Sequence, residues 1–315
     1  MNYDEFKLFV KEHLNQYIFQ NNQINKITER QICKNHVNKD ALIVEFKNSN
    51  ISPTIYLNDF WNNNLSENEA QEITKNIAKL IENNLPEQKM DIEWLENFDL
   101  VKNSIIPKVV GIERNEDYLK NLIYSKKADL AVTYSVYLEN FSDKKGIASI
   151  PVTNEFAKRW GVSADVLEYV AKENMKRIFS PRIDDMADII PSLIGATDRD
   201  FMYVISNDNG INGANVFLND EFMDSVSKQM NGDFYILPSS IHELICFKAS
   251  DNVHVEELER LVQEVNYSQV APEERLSDHV YKYDYNRHEI YRADQEQKRM
   301  EELNANQAMH SHISR

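Results

Sequence analysis

Three segments in the second half of the chain repeat one pattern, in which a pair of strands is followed by the start of a helix. The copies occupy residues 130–153, 202–219 and 234–255. In each copy, alternating or short apolar runs lie on either side of a polar turn, which is typical of antiparallel hairpins. The pattern predicts an α+β fold, with antiparallel sheets built from recurring β-hairpin–helix units.

The turns and helix starts carry the local signals. In the second copy, Asn207 to Gly210 lies between strands predicted at 201–205 and 214–218. Asn and Gly supply the positive φ that tight hairpins need. The third copy joins its strands through a Pro-Ser-Ser turn, with the second strand predicted to start at Ile241. Capping residues followed by acids are predicted at two of the helix starts, Thr153 and Asn219.

The N-terminal part follows a different order. Tyr3 to Phe19 has apolar residues at helical spacing, and three short apolar runs after it predict strands. Ser66, with Glu69 after it, forms a capping box that opens a second helix. The result is an N-terminal α-β-β-β-α unit. The predicted parts are this unit, a hairpin–helix α+β domain and a polar tail that is disordered or helical, at residues 1–86, 87–292 and 293–315.

Composition and charge narrow the classes of function. The chain has 51 acids against 35 bases and a net charge of −16, so nonspecific nucleic-acid binding is disfavoured. No apolar run approaches the ~20 residues that span a bilayer, and the acidic first helix is unlike a secretory signal. Cys33 and Cys246 lie far apart, which suits a reducing compartment and buried thiols. We therefore predict a soluble cytoplasmic protein without membrane contact.

Several cofactor motifs are absent from the sequence. It contains no GxxxxGK[ST] phosphate loop and no GxGxxG after a strand. It also contains no HExxH or HxE…CxxC zinc signature. These absences disfavour P-loop nucleotide hydrolysis, dinucleotide redox chemistry and zinc hydrolysis, and no cofactor is predicted.

Four sequence blocks carry a resemblance to a known family. They are ISPTIYLNDF, KADLAVTY, NGDFYILPSSIHELICF and VNYSQVAPEERLSDHVYKYD, which begin at residues 51, 127, 231 and 265. Over residues 1–292 the chain resembles a domain-of-unknown-function family of Firmicutes, often found on integrative or conjugative elements. More distantly, 129–247 is similar in plan to a second such family. The resemblance implies a cytoplasmic bacterial protein, carried by mobile DNA, and supplies no catalytic residues.

Ser240, His242 and Glu243 bring a hydroxyl, an imidazole and a carboxylate close together in sequence. On a strand, Ser240 and His242 would share one face and Glu243 the other. A nucleophile, a base and an orienting acid need successive hydrogen bonds, which adjacent alternating residues rarely make. The catalytic interpretation therefore competes with a turn in which Pro238 and the serines set the backbone and His242 pairs locally.

The densest group of acids lies between Asp184 and Asp200 and includes Asp185, Asp188 and Asp198. Carboxylate oxygens are the ligands that Mg²⁺ prefers, so Asp184, Asp188 and Asp200 are candidate metal ligands for phosphoryl transfer. No DxDxDG loop accompanies them. The competing interpretation is that these acids cap a helix and solvate a turn.

Two further groups lie near the C-terminus. His310 and His312 suit a transition metal but lack a third ligand, so adventitious binding is expected. Four tyrosines interleaved with basic residues suit base stacking, protein docking or simply an edge hairpin: Tyr281, Tyr283, Tyr285 and Tyr291. The acidic composition favours the hairpin interpretation.

Three functions follow from these observations. The leading hypothesis is a non-enzymatic protein-binding or accessory factor, of a mobile genetic element by the resemblance, whose partner is a protein. The alternative is a metal-dependent hydrolase or nuclease of unfamiliar type that uses Asp184, Asp188 and Asp200, or His242. A third hypothesis is nucleic-acid binding by the C-terminal hairpin, against which the net charge argues.

Overall fold

The computed structural model describes residues 1–19, 23–35, 37–85, 92–139, 147–189, 202–249 and 253–301. Two compact units divide the chain, Met1–Trp94 and Leu95–Arg315. Helices and antiparallel strands occur in both units, which confirms the α+β class. Among the described residues, no helix has the length and apolar character needed to cross a bilayer.

The first unit has the predicted α-β-β-β-α order. Its elements are α1 (Tyr3–Tyr17), β1 (Ile24–Lys34), β2 (Val37–Phe46), β3 (Thr54–Tyr56) and α2 (Glu67–Asn84). Strand β2 pairs antiparallel with both neighbours. Phe6, Val10 and Leu14 recur at helical spacing on α1 and are fully buried against the apolar side chains of β2 and α2. The predicted capping box is present, since Ser66 and Glu69 each accept the other's backbone N–H.

A four-stranded antiparallel sheet opens the second unit. Its strands are β4 (Ile105–Gly111), β5 (Tyr124–Lys127), β6 (Leu130–Tyr137) and β7 (Ser149–Pro151). Strand β6 pairs with β4 on one side and with β5 and then β7 on the other. The pairing of β6 with β7 confirms the first predicted hairpin. The turn predicted inside it, 140–146, lies outside the described residues.

Strand β4 is an edge strand whose free side is met by a side chain. Pro107 has no N–H to donate, and edge strands are where proline is tolerated. The buried amide of Asn215 donates from Nδ2 to the carbonyl of Pro107 at 2.7 Å and accepts the N–H of Val109 at 3.0 Å. The amide therefore takes the hydrogen-bonding positions that a neighbouring strand would use.

The second sheet has six strands, and all its pairings are antiparallel. The strands are β8 (Pro181–Asp185), β9 (Met202–Asn207), β10 (Phe234–Leu237), β11 (Leu244–Lys248), β12 (Tyr281–Asp284) and β13 (Glu289–Arg292). Their spatial order is β13-β12-β10-β11-β9-β8. The pairs β10–β11 and β12–β13 confirm the third hairpin and the last one.

Seven α-helices of this unit have both ends before the tail, among the described residues. They are α3 (Phe98–Val101), α4 (Glu116–Leu119), α5 (Asn154–Trp160), α6 (Ala164–Ile178), α7 (Met186–Ile189), α8 (Asp220–Met230) and α9 (Val255–Ser268). Thr153 and Asn219 cap α5 and α8, as predicted, by accepting backbone N–H groups. In the tail, Ala293–Gln295 is a 3₁₀ turn, 296–301 is helical and 302–315 lies outside the described residues.

The second predicted hairpin is wrong. Residues Gly213–Leu218 form a 3₁₀ helix instead of a return strand, and β9 pairs with β8 and β11. All six residues of this helix are buried, so the apolar run reflects burial on every side. Asn212, at φ 51°, turns the chain into the helix, which brings Asn215 to β4.

Candidate functional site

Ser240, His242 and Glu243 lie in a loop before β11, so this strand begins at Leu244 and the predicted start at Ile241 is wrong. The loop is held by backbone hydrogen bonds: Ile241 donates to the carbonyl of Glu274 at 2.8 Å and accepts the N–H of Ala214 at 3.2 Å. Because the backbone of Ile241 bonds to these partners and not to a neighbouring strand, the predicted placement of Ser240 and His242 on one strand face and Glu243 on the other does not apply.

The three side chains of this loop are engaged separately. The hydroxyl of Ser240 accepts the backbone N–H of His242 at 3.0 Å, and His242 Nδ1 accepts the N–H of Asn212 at 3.1 Å. Glu243 accepts the hydroxyl of Ser239 at 3.4 Å. Burial lowers the pKa of His242, against the opposing effect of Glu274, whose Oε1 lies 3.7 Å from Nε2. The ring is thus a neutral acceptor that anchors Asn212, and Ser240 is not its hydrogen-bonding partner.

Only part of the acidic group between Asp184 and Asp200 lies among the described residues. Asp184 lies on β8 and pairs with Arg182 at 2.6 Å, while Asp188 is exposed on α7. Asp200 lies outside the described residues, as do Asp198, His310 and His312. Among the described residues, Asp184 and Asp188 do not form part of a three-ligand group that is close enough to hold a metal.

Two of the C-terminal tyrosines have no free ring face to offer. Tyr281 and Tyr283 are each 2% exposed. Tyr281 donates its hydroxyl to Asp129 at 2.8 Å, and Tyr283 donates to Asp224 at 2.6 Å. The edge-hairpin interpretation fits these two residues, since base stacking needs accessible rings.

A cavity of about 270 Å³ in the second unit combines basic, acidic and aromatic side chains. Three lysines, an imidazole and a buried phenol face it: Lys126, Lys127, Lys172, His288 and Tyr283. Apolar residues of the 3₁₀ helix contribute Phe217 and Leu218. In this cavity, called the lysine pocket below, titratable groups from several elements converge, and the acids Asp220 and Glu289 also line it.

Asp224 joins two residues of the lysine pocket. Its Oδ1 accepts the hydroxyl of Tyr283 and the Nδ1–H of His288, both at 2.6 Å. Partial burial alone would raise the pKa of Asp224, but these two hydrogen bonds lower it. The ionised carboxylate fixes the proton of His288 on Nδ1, which leaves Nε2 as the ring nitrogen that can accept a proton.

Local sequence places both partners of this pair. Asp224 lies on α8, whose start is capped by Asn219. His288 ends the turn between β12 and β13 at φ 54°, a left-handed conformation that His adopts more readily than most residues. Asp284 stabilises the turn by accepting the backbone N–H of Arg287 at 3.1 Å.

The lysines come from two elements and differ in their pairing. Lys127, on β5, lies 3.1 Å from Glu168, and Lys172, on α6, lies 3.3 Å from Asp220. Burial alone would raise the pKa of Glu168, but a hydrogen bond from Ser125 and the charge of Lys127 lower it. Within the described part of the chain, Lys126 has no ion-pair partner. Its positive charge is therefore available to a ligand.

Sequence reasoning missed the lysine pocket. Lys126 and His288 are separated by much of the chain, and neither belongs to a motif. The available signals were the Lys126–Lys127 doublet in an acidic chain and a histidine in a hairpin turn. Neither signal identifies Asp224 as the partner.

Comparisons with known proteins identify a family whose function is unknown. A family model described as "Family of unknown function (DUF5688)" matches residues 3–285. No curated protein and no solved structure matches the chain. The resemblance to a family of unknown function is confirmed, and the chemistry has to be argued from the side chains.

Proposed function

Since the chain belongs to the DUF5688 family, whose function is unknown, we propose from its own side chains that it binds a small anionic molecule in the lysine pocket. The observation that carries the proposal is that His288, held by Asp224, lines a cavity together with three lysines. Pockets that bind small molecules commonly combine an apolar floor with a few convergent polar groups. Here Phe217 and Leu218 supply apolar surface.

The charges favour a phosphate- or carboxylate-bearing ligand. Lys127 and Lys172 already have acidic partners, whereas Lys126 has none among the described residues. An ammonium group is a compact donor for oxyanions. His288 adds an Nε2 that accepts a proton from the ligand, or donates one when the ring is protonated. The pocket therefore binds the anion through Lys126 and contacts its hydroxyl or acidic proton through His288.

Lys126→Gln is expected to weaken binding of pyrophosphate or citrate about tenfold, equivalent to about 1.4 kcal/mol. The physical reason is the loss of the ammonium that is not shared with a protein carboxylate. Calorimetric titration of inorganic phosphate, pyrophosphate and citrate at low salt measures the effect. Raising the salt to about 0.15 M should weaken binding to the parent protein, because the site is open to solvent.

Lys120→Gln is the matched control, since Lys120 is an exposed lysine paired with Asp117 outside the pocket. It should bind the same probe as tightly as the parent protein. Equal weakening by K126Q and K120Q would indicate a diffuse charge effect and contradict the proposal. Absence of binding of all three anions to the parent protein would contradict it too.

A protein-binding role, the leading hypothesis from sequence, is the second candidate. It is favoured by apolar side chains on α9, where Leu261 is 49% exposed and Val265 36%. Exposed acids of the same helix surround them, among them Glu257 and Glu264. The surface fits a protein partner with an apolar patch rimmed by Lys or Arg. The cytoplasmic, bacterial and mobile-element assignments belong to this proposal and rest on sequence alone.

Leu261→Glu with Val265→Glu is expected to reduce partner retention at least tenfold, because two charges replace apolar contacts. Affinity purification from the native host at two salt concentrations measures it. Leu100→Glu, which changes a leucine 61% exposed on α3, is the matched control. A partner that is retained equally by the parent protein, the double variant and L100E would contradict docking at α9.

The hydrolase or nuclease alternative has less support from the geometry. Asp184 is paired with Arg182, and the ring of His242 is committed to Asn212. The hydroxyl of Ser240 bonds to the backbone instead of the imidazole. A reaction at these residues would require all three contacts to change.

A further inference from the structure

Glu259, His279 and Asp294 come from three separate elements and meet at one point. Glu259 lies on α9, His279 precedes β12, and Asp294 lies in the 3₁₀ turn after β13. Their nearest ligand atoms all lie within 4.8 Å of one another. We propose that these three side chains bind a divalent transition-metal ion.

One of the three distances suits a metal directly. His279 Nδ1 and Glu259 Oε1 are 3.2 Å apart, in hydrogen-bond contact when no ion lies between them. Two ligands with metal bonds of roughly 2.1 Å are separated by about 3.0 to 3.4 Å around an octahedral or tetrahedral ion. An imidazole with two carboxylates selects Zn²⁺, Mn²⁺ or Fe²⁺ over Mg²⁺ and Ca²⁺, which take oxygen ligands.

Helix α9 fixes the position of the segment that carries His279. Glu259 and Asn266 lie two helical turns apart on the same face, with the buried Val262 between them. The buried amide of Asn266 donates to the carbonyl of Ser277 at 3.0 Å and to Asp278 at 2.7 Å. The segment that carries His279 is therefore fixed to the helix that carries Glu259.

Further contacts position the remaining groups. The backbone N–H of His279 donates to Ser277 Oγ at 3.1 Å. Arg292 donates a hydrogen bond to each carboxylate oxygen of Asp294, from Nε to Oδ1 at 3.0 Å and from Nη2 to Oδ2 at 2.6 Å. Such contacts outside the ligand set orient ligating groups in metal sites. The guanidinium also offsets the repulsion between two carboxylates before an ion binds, and each carboxylate oxygen retains a lone pair for the ion.

One of the three proposed ligands, Asp294, borders a larger cavity. Asp294 is also part of the lining of a cavity of about 720 Å³, together with Lys282, His254 and Asp233. Three protein ligands leave coordination positions for water or a small molecule, as in catalytic metal sites.

His279→Gln and Glu259→Gln are each expected to weaken Zn²⁺ or Mn²⁺ binding at least tenfold, measured by calorimetric titration. Both variants are made in a protein that also carries His310→Gln and His312→Gln, so that the two tail histidines do not contribute. The visible absorption of bound Co²⁺ gives a second readout, which should be lost in H279Q. Thermal unfolding should shift upward with metal in the background protein and not in H279Q.

His254→Gln is the matched control, because His254 lines the same cavity and precedes α9 without belonging to the ligand group. It should bind the ions as the background protein does. Equal affinity in the background protein, H279Q and E259Q would indicate adventitious binding and overturn the proposal. Absence of binding of Zn²⁺, Mn²⁺ and Co²⁺ to the background protein would overturn it as well.

Discussion

Asn215→Ala should lower the free energy of unfolding by about 3 kcal/mol, because two buried main-chain groups lose their partner at once. The amide of Asn215 satisfies the N–H of Val109 and the carbonyl of Pro107, and the residue is 3% exposed. Water cannot replace it without opening the contact between the 3₁₀ helix and β4. Urea denaturation followed by circular dichroism measures the change.

Asn215→Asp separates the hydrogen bonds from the cavity that alanine leaves. Aspartate has nearly the same volume and keeps an acceptor for Val109. When it is ionised it offers no donor to Pro107 and buries a charge, so we expect a loss of at least the same size at neutral pH. Asn154→Ala is the matched control, since its amide also donates to a carbonyl, that of Lys120 at 3.2 Å, but is exposed. A loss from N215A no larger than that from N154A would contradict the assigned role.

Gly213→Ala should destabilise the protein by about 3 kcal/mol or prevent folding, because a side chain has no room there. A Cβ at this position would lie 2.1 Å from the hydroxyl of Ser206 and 2.2 Å from the carbonyl of His242. The carbonyl belongs to the backbone of the loop before β11, so the clash moves that loop and β9 together. The midpoint of thermal or urea unfolding measures the effect.

Gly161→Ala provides the comparison for Gly213. At Gly161 the φ is +67° and a Cβ would meet nothing within 4 Å, so the cost is backbone strain of about 1 kcal/mol. Adding Ser206→Ala to Gly213→Ala removes the hydroxyl and leaves the carbonyl, so stability should not be restored. Full recovery in that double variant would show that the close approach of His242 is unimportant.

Local signals accounted for the elements that sequence predicted well. The capping box of Ser66 and the caps Thr153 and Asn219 act within one helical turn, so their chemistry is readable from adjacent residues. The third hairpin has a turn flanked by two apolar runs.

Features that depend on residues far apart in sequence were not predicted correctly. Residues 214–218 form an apolar run that fits a buried strand or a buried helix, and the choice depends on Asn215 reaching β4. The return strand of the third hairpin was predicted to begin at Ile241 instead of Leu244, because the backbone partners of Ile241, Glu274 and Ala214, are far away in sequence. The pairing of Asp224 with His288 depends likewise on tertiary structure.

The amide that meets β4 also bears on aggregation. An edge strand with open donors and acceptors can recruit a strand from another molecule and begin an intermolecular sheet. At β4, Pro107 offers no N–H, and Asn215 holds the nearest carbonyl and N–H. In the folded protein, one side chain from a different segment thus occupies the hydrogen-bonding positions through which this apolar edge strand would pair with another molecule.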